Sequence, residues 1–456
     1  MTAAVRNTDT PSGESAPGAT VVVGLGRTGL SVARYLQAQG QQFSVTDSRA
    51  VPPELDALRR LAPQIAVSVG GFNLSLLEGA AKLVLSPGIS PQEPIVKQAR
   101  ASGIAVLGDI ELFARKAVAP IAAITGTNGK STVTTLVAKM ALASGRRVLA
   151  GGNLGTPALD LLREPVPDLY VLELSSFQLE ITSSLRTAAA AVLNVTPDHM
   201  DRYQSVAEYA CAKAKIFDRC ATAVINNDDA SVRVMPRPGQ RTLAFSLRQP
   251  RGVDYFAEPE GNDLIVKYHG TRLLAMSELK IGGAHNAANV MAALAMGEAL
   301  ELTREACLEA LREFPGLPHR SQWVAEVAGV RYIDDSKGTN VGATQAAVAG
   351  LPGPLVLIAG GQGKGQDFAA LAAAFKGKVR HAVLIGQDAR LIADALAGVC
   401  ATQFAPSIEE AVTFAANAAK AGDTVLLSPA CASLDMFRDY AHRGDCFAAA
   451  ARRLQS

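Results

Sequence analysis

The sequence predicts a three-domain α/β protein. It has an N-terminal Rossmann-like domain, a central P-loop ATPase-like sheet with a small antiparallel insert, and a C-terminal Rossmann-like domain. Three observations predict this. The chain has 456 residues, more than one ordinary hydrophobic core organises. Short β-rich runs alternate with amphipathic segments of helix length, the rhythm of parallel sheets with crossover helices. Glycine-rich turns follow apolar runs near residues 24 and 126, each in the strand–turn–helix setting that holds phosphate groups.

Residues 1–18 are rich in Thr, Ser, Gly, Pro and Ala and lack a basic stretch followed by an apolar one. They read as a disordered tail, not a signal peptide. The first domain, 19–116, opens with a strand at 20–24, a helix at 28–39 and a second strand at 43–47. Further strands follow at 81–86 and 104–107, and the block closes before Pro120. The second domain, 117–318, begins with a strand at 121–125 and continues through strands at 170–174, 190–195 and 223–226. From about 241 to 283 short strands and a Gly261-Asn262-Asp263 turn mark the antiparallel insert. A helix over 285–300 resumes the α/β rhythm, and the prolines and glycine of PGLPHR at 315–320 break it as a linker. The third domain, 319–456, has strands at 331–334, 355–359, 382–385 and 424–427.

Composition excludes several classes of function. Hydrophobic residues make up 48% and charged residues 19%, ordinary for a soluble globular chain. A net charge of +2 from scattered residues gives no electrostatic case for nucleic acid or an anionic membrane. The apolar runs fall short of a membrane span. Six cysteines form no C-x-x-C pair and no metal-ligand spacing, which points to reduced thiols in a cytoplasmic protein.

The strand at 121–125 runs into Gly126-Thr127-Asn128-Gly129-Lys130-Ser131-Thr132 and then a helix. Loop N–H groups and a helix N-terminus aim at an anion there. Lys130 would reach the β- and γ-phosphates of ATP, and a hydroxyl of Ser131 or Thr132 would hold Mg²⁺. Ile124 stands where a general phosphate loop has its first glycine. Glu173 ends the apolar strand YVLEL, where an acid can bind Mg²⁺. His199 follows another strand, at the edge where ligands bind such sheets. Lys213 lies on a predicted helix, and local pattern alone places it on a solvated face.

Gly24-Leu25-Gly26-Arg27-Thr28-Gly29 matches G-x-G-x-x-G, and Asp47 ends the next strand. This is close to a dinucleotide fingerprint, but the same turn holds any pyrophosphate. An NAD-dependent oxidoreductase is therefore one reading, although it leaves TGTNGKST unexplained. A GTPase-type switch is another, and it lacks the N-K-x-D guanine motif. An enzyme holding ATP in one domain and a nucleotide-linked diphosphate in another is more naturally a ligase.

Seven motifs occur in order: TGTNGKST at 125–132, LELSSFQLE at 172–180, DHMDR at 198–202, HNAAN at 285–289, GLPHR at 316–320, DDSKGTN at 334–340 and SPACASLDMF at 428–437. Together they resemble the Mur ligase family over nearly all of the chain beyond residue 18. The first domain, DSKGTN and ACASLDMF resemble the members that add D-glutamate to UDP-N-acetylmuramoyl-L-alanine, a step of peptidoglycan precursor synthesis.

The resemblance implies roles that local reading does not supply. Glu173, His199 and Ser131 would hold Mg²⁺, with two ions expected. Lys213 matches the lysine that the family carbamylates with CO₂, reversing the local preference for a solvated face; a carbamate is an oxygen anion suited to a hard metal. Asn286 and Asn289 share a helix face, and an amide offers the donor and acceptor that suit adenine. Arg320 and Asp335 match residues with which the C-terminal domain closes on ATP. Lys364, Thr339, Ser433 and Leu434 match the D-glutamate site, where Gln362 departs from an expected acid. Leu25, Arg27, Thr28, Asp47, Ser48, Arg49, Ser86, Gly88 and Asn153 match the UDP-muramoyl site. The implied chemistry is carboxylate activation to an acyl phosphate, followed by attack of the D-glutamate amine, in a monomeric cytoplasmic enzyme.

Overall fold

The computed structural model describes residues 18–261, 263–351 and 353–454. Nearly all of the expected N-terminal tail and Asn262 of the expected turn lie outside the described residues.

Three sheets follow one another along the chain. The first holds β1 (Thr20–Val23), β2 (Phe43–Asp47), β3 (Val67–Val69), β4 (Lys82–Leu85) and β5 (Ala105–Gly108) in the order β3-β2-β1-β4-β5. Its strands pair in parallel throughout. All of β1 and β2 is buried, because helices on both faces leave no solvated side; β1 reads as a nearly continuous apolar run, while β2 also buries Ser44, Thr46 and Asp47.

The central sheet has nine strands: β6 (Ile121–Thr125), β7 (Val148–Gly152), β8 (Leu169–Glu173), β9 (Thr187–Val192), β10 (Cys220–Asn226), β11 (Arg241–Ser246), β12 (Tyr255–Glu260), β13 (Asp263–Tyr268) and β14 (Thr271–Ala275). Their order is β14-β13-β12-β11-β10-β9-β6-β8-β7. The antiparallel part is confined to β12–β14, and it continues the parallel sheet through β11 and β12. Helices Lys130–Ala143 and Ala284–Ala299 cover one face, where Val133, Leu136, Val137 and Met140 join Val290, Met291 and Leu294 in one core. The other face packs against the first domain. Phe113 and Tyr170 meet edge to face at 5.1 Å, inside a core that runs from Val22 to Val253.

The third sheet comprises β15 (Gln322–Val327), β16 (Val330–Asp334), β17 (Leu355–Gly360), β18 (Val379–Ile385), β19 (Ala401–Phe404) and β20 (Thr424–Leu427), ordered β15-β16-β20-β17-β18-β19. All its pairings are parallel except that of the edge strand β15. Sequence pattern missed β3, β7, β15 and β19, all short or at an edge, where partial exposure weakens the apolar signal. Among the described residues, no helix is long and apolar enough to cross a membrane, and all six cysteines are free.

Candidate active site

The C-terminal ends of β6, β8 and β9 open onto one cavity, and the third domain closes it. Thr127, Lys130, Ser131, Asn153, Glu173, His199 and Lys213 line it from the central domain; Arg320, Thr339, Asn340 and Lys364 line it from the third. A neighbouring cavity is lined by Gly129, Thr132, Asn286, Asn289, Arg320 and Asp335.

The phosphate loop is built by two glycines. Gly126 and Gly129 have φ of +149° and +86°, conformations that a side chain disfavours. At Gly129 crowding compounds this, since a Cβ would lie 2.3 Å from Oδ1 of Asn289. Lys130 starts the following helix, and its Nζ donates to the carbonyl oxygens of Gly126 (2.9 Å) and Thr127 (2.8 Å). Burial pulls its ammonium below the ordinary lysine range, while the Glu173 and Asp198 carboxylates oppose that shift.

Glu173 is buried at the end of β8, not facing solvent. Asn153 donates to its Oε1 at 2.6 Å, whereas its Oε2 has no hydrogen-bond partner among the described residues. A buried, orphaned carboxylate oxygen is costly unless something positive meets it. Lys213 is 1% exposed, which overturns the solvated-face reading drawn from local pattern. Its helix, Val206–Ala214, is capped by Ser205, whose hydroxyl accepts from the Glu208 N–H at 3.2 Å. That helix sends Nζ inward to the Gly126 carbonyl at 3.0 Å and over the Tyr209 ring at 4.4 Å. Burial, then the Lys130 charge, hold the Lys213 amine well below the ordinary lysine value, toward the neutral form. The pattern-based reading failed here because the helix is short and half solvated, with Ala207, Glu208 and Cys211 exposed, while Lys213 falls on the buried side with Tyr209 and Ala212.

His199 adopts φ +57° and lies edge-on to Phe177 at 4.7 Å. Burial lowers its imidazole to about 4, so it is neutral at physiological pH and able to offer a nitrogen lone pair. Ser131, Glu173, His199 and Lys213 all line this cavity. The donor set suits Mg²⁺ in having an orphaned carboxylate oxygen and a hydroxyl; the lysine suits it only as an oxygen anion. Among the described residues, no group of three or more His, Cys, Asp or Glu forms a conventional metal cage.

In the neighbouring cavity, Asn289 Nδ2 donates to Asn286 Oδ1 at 3.2 Å, and Asn286 donates to the Gly282 carbonyl at 2.8 Å. Arg320 crosses the domain boundary and donates to Ser131 Oγ at 2.8 Å. Asp335 is 8% exposed; burial raises its carboxyl to about 7 although Ser428 and the Ser321 N–H both donate to it.

Lys364, at φ +53°, places Nζ 3.7 Å from Asp198 Oδ1 and shares the cavity with Thr339. Ser433 and Leu434 do not line that cavity; Ser433 is buried and Leu434 is 68% exposed. A bridge between Gln362 and Ala432 nonetheless sets their segment beside the Lys364 loop.

The remaining predicted residues cluster at the C-terminal edge of the first sheet, apart from Asn153 in the main cavity. Asp47 accepts from the Leu25 N–H at 2.6 Å and from Arg49 through its N–H, Nε and Nη2. Burial would raise this carboxyl, but the Arg49 and Leu25 hydrogen bonds outweigh it and hold it low. Ser86 donates to the Gly24 carbonyl at 2.9 Å. Arg27 donates across the domain boundary to the Gly155 carbonyl at 2.8 Å. Thr28 is half-buried, and Ser48 and Gly88 are exposed on the same rim.

Sequence reasoning missed Asp198 and Asn340. Asn340 Nδ2 donates to Asp198 Oδ2 (3.2 Å) and to Asn128 Oδ1 (3.1 Å), joining the third domain to the phosphate loop. The signal was available, since each is a polar residue inside a motif already singled out.

Comparison with known proteins shows the family. Three family descriptions match in order: "Mur ligase MurD-like, N-terminal domain" over 18–108, "Mur ligase middle domain" over 124–297 and "Mur ligase, glutamate ligase domain" over 319–431. A UDP-N-acetylmuramoylalanine--D-glutamate ligase of Nitrosococcus oceani is 51% identical over 440 residues, covering 96% of this chain and 97% of its own. The protein of the same name from Methylobacillus flagellatus is 51% identical over 95% of this chain and 97% of its own. The UDP-N-acetylmuramate-alanine ligase MurC of Thermotoga maritima superposes with a TM-score of 0.63 at 18% identity, covering 95% of this chain and 99% of its own, and so shares the fold. The chain belongs to the Mur ligase family.

Proposed function

We propose that this chain is an ATP-dependent amide-bond-forming ligase that adds D-glutamate to UDP-N-acetylmuramoyl-L-alanine, a step of peptidoglycan precursor synthesis. It uses ATP and Mg²⁺ and acts on small molecules. The observation that carries the reading is the interdomain cavity in which Lys130, Glu173, His199, Lys213 and Lys364 converge, set in a chain about half identical to ligases of that name.

The chemistry follows from the weakness of a carboxylate as an electrophile. Its oxygen attacks the γ-phosphate of ATP, giving an acyl phosphate and ADP. The D-glutamate amine then attacks that carbonyl, and phosphate leaves as the amide forms. Phosphoryl transfer asks the protein mainly for positioning and charge neutralisation. Lys130 and the loop from Gly126 to Thr132 hold the phosphates. Asn286 and Asn289 meet the base, and Arg320 and Asp335 close on a phosphate and the ribose. Bound Mg²⁺, proposed as two ions on Ser131, Glu173, His199 and a carbamylated Lys213, would offset phosphate charge. The low-lying, neutral-favouring Lys213 amine is the form that reacts with CO₂.

Lys364, Thr339, Ser433 and Leu434 receive D-glutamate, whose two carboxylates a cation and hydroxyls suit. Leu25, Arg27, Thr28, Asp47, Ser48, Arg49, Ser86, Gly88 and Asn153 receive the sugar nucleotide. The domains proposed for sugar nucleotide, ATP and amino acid are 19–116, 117–318 and 319–456, in a cytoplasmic monomer. ¹³C-bicarbonate NMR tests the carbamate: wild type gives a carbamate resonance that Lys213→Arg lacks. No resonance in the wild type would refute that assignment alone.

A further inference from the structure

Arg202 ends the DHMDR motif and is used by none of the roles above, yet it is one of the most engaged side chains at the boundary between the first and central domains. Its side chain is 14% exposed. Nη1 donates to the carbonyl oxygens of Pro87 (3.1 Å) and Ile89 (3.3 Å) in the first domain. Nη2 donates to Glu180 Oε2 at 2.8 Å in the central domain. The guanidinium lies 4.1 Å from the Phe177 ring centroid, and Phe177 in turn packs edge-on against His199 at 4.7 Å. The Arg202 N–H also donates to the His199 carbonyl at 2.9 Å.

We propose that Arg202 is a positioning residue that sets the 86–89 loop for the sugar nucleotide and ties that loop to the His199 ring through Phe177. This rests on the first-domain assignment above. The physical reason is the planar trans peptide: its C=O and N–H point in opposite directions. Fixing the Pro87 and Ile89 carbonyls toward Arg202 turns the N–H groups of Gly88 and Ser90 the other way. Ser86 is fixed independently, its N–H donating to Val23 and its hydroxyl to Gly24, in the glycine-rich turn. The loop is thus anchored at both ends, from two domains, with Gly88 between the anchors. Only a planar fork reaches two carbonyls, a carboxylate and an aromatic face together; an ammonium does not.

The test is a phosphate-release assay with UDP-N-acetylmuramoyl-L-alanine, ATP, Mg²⁺ and D-glutamate on Arg202→Ala, Arg202→Lys and Arg49→Ala. Arg202→Ala loses two charge-assisted hydrogen bonds to the loop, so KM for the sugar nucleotide should rise about tenfold or more, with KM for ATP within about twofold of wild type. Arg202→Lys should fall between, and it carries the test alone if the alanine variant does not fold. An unchanged sugar-nucleotide KM in both Arg202 variants, or an equal rise in both KM values, overturns the proposal. Arg49→Ala separates the two failures. If it raises the sugar-nucleotide KM and the Arg202 variants do not, only the positioning role fails. If none of the three raises it, the first-domain assignment fails as well.

Discussion

Gly129→Ala tests how the phosphate loop is built. Gly129 sits at φ +86°, and an added Cβ would lie 2.3 Å from Asn289 Oδ1 and 3.2 Å from Leu193 Cδ1. A left-handed non-glycine residue costs about 1 kcal/mol. The displaced Asn289 amide gives up its bond to Asn286, about 1 kcal/mol more. A loss of about 2 kcal/mol lowers Tm by roughly 4–8 °C for a cooperative unit of this size. Moving the amide proposed to meet the base, at about 1 kcal/mol for each of one donor and one acceptor bond, costs about 2 kcal/mol of affinity, a rise of about 30-fold in KM for ATP. Gly145→Ala is the matched control, with φ +80° and open space around its Cβ. It should show the Tm loss from strain alone and keep the wild-type KM for ATP. Differential scanning calorimetry and steady-state kinetics measure both quantities. A Gly129→Ala protein with wild-type Tm and wild-type KM for ATP would refute the reasoning.

Three further outcomes follow from the same geometry. Lys130→Ala should abolish turnover while far-UV circular dichroism stays unchanged, because its partners are two loop carbonyls and that of Gly126 keeps its bond from Lys213; full activity would remove the phosphate-loop assignment. Glu173→Gln removes the charge but keeps an acceptor for Asn153, so the Mg²⁺ concentration for half-maximal activity should rise about tenfold; an unchanged requirement counts against Glu173 as a ligand. Asp335 has a folded-state pKa raised to about 7, so the folded protein binds more protons than the unfolded chain below that value. Its contribution to stability is therefore full below pH ~4 and lost as pH rises through 7. Asp335→Asn should raise Tm relative to wild type more at pH 8 than at pH 5, and the opposite order would contradict a carboxyl destabilised by burial.

The fold was legible where strands are buried on both sides, since runs such as Ile121–Thr125 carry the pattern continuously. The edge strand Gln322–Val327 was not, because its exposed Trp323 and polar neighbours resemble loop. The antiparallel strands were legible as such, but their continuity with the central sheet depends on the pairing of Ser246 with Phe256, which sequence pattern does not encode. At the site, glycines and lysine in one short motif were enough to predict the strand, glycine turn and helix that the structure has around Gly126–Lys130. Lys213 was not, since its burial is set by what packs over its helix from elsewhere in the chain. Asp198 and Asn340 meet only after the third domain docks, at a sequence separation of 142, so no local pattern joins them.

The most direct test of the central claim is phosphate release by the purified protein with ATP, Mg²⁺ and UDP-N-acetylmuramoyl-L-alanine, comparing amine substrates. Release that depends on D-glutamate, with the amide product seen by mass spectrometry, is the expected result. Preference for L-lysine or diaminopimelate, or no dependence on an amine, would contradict it.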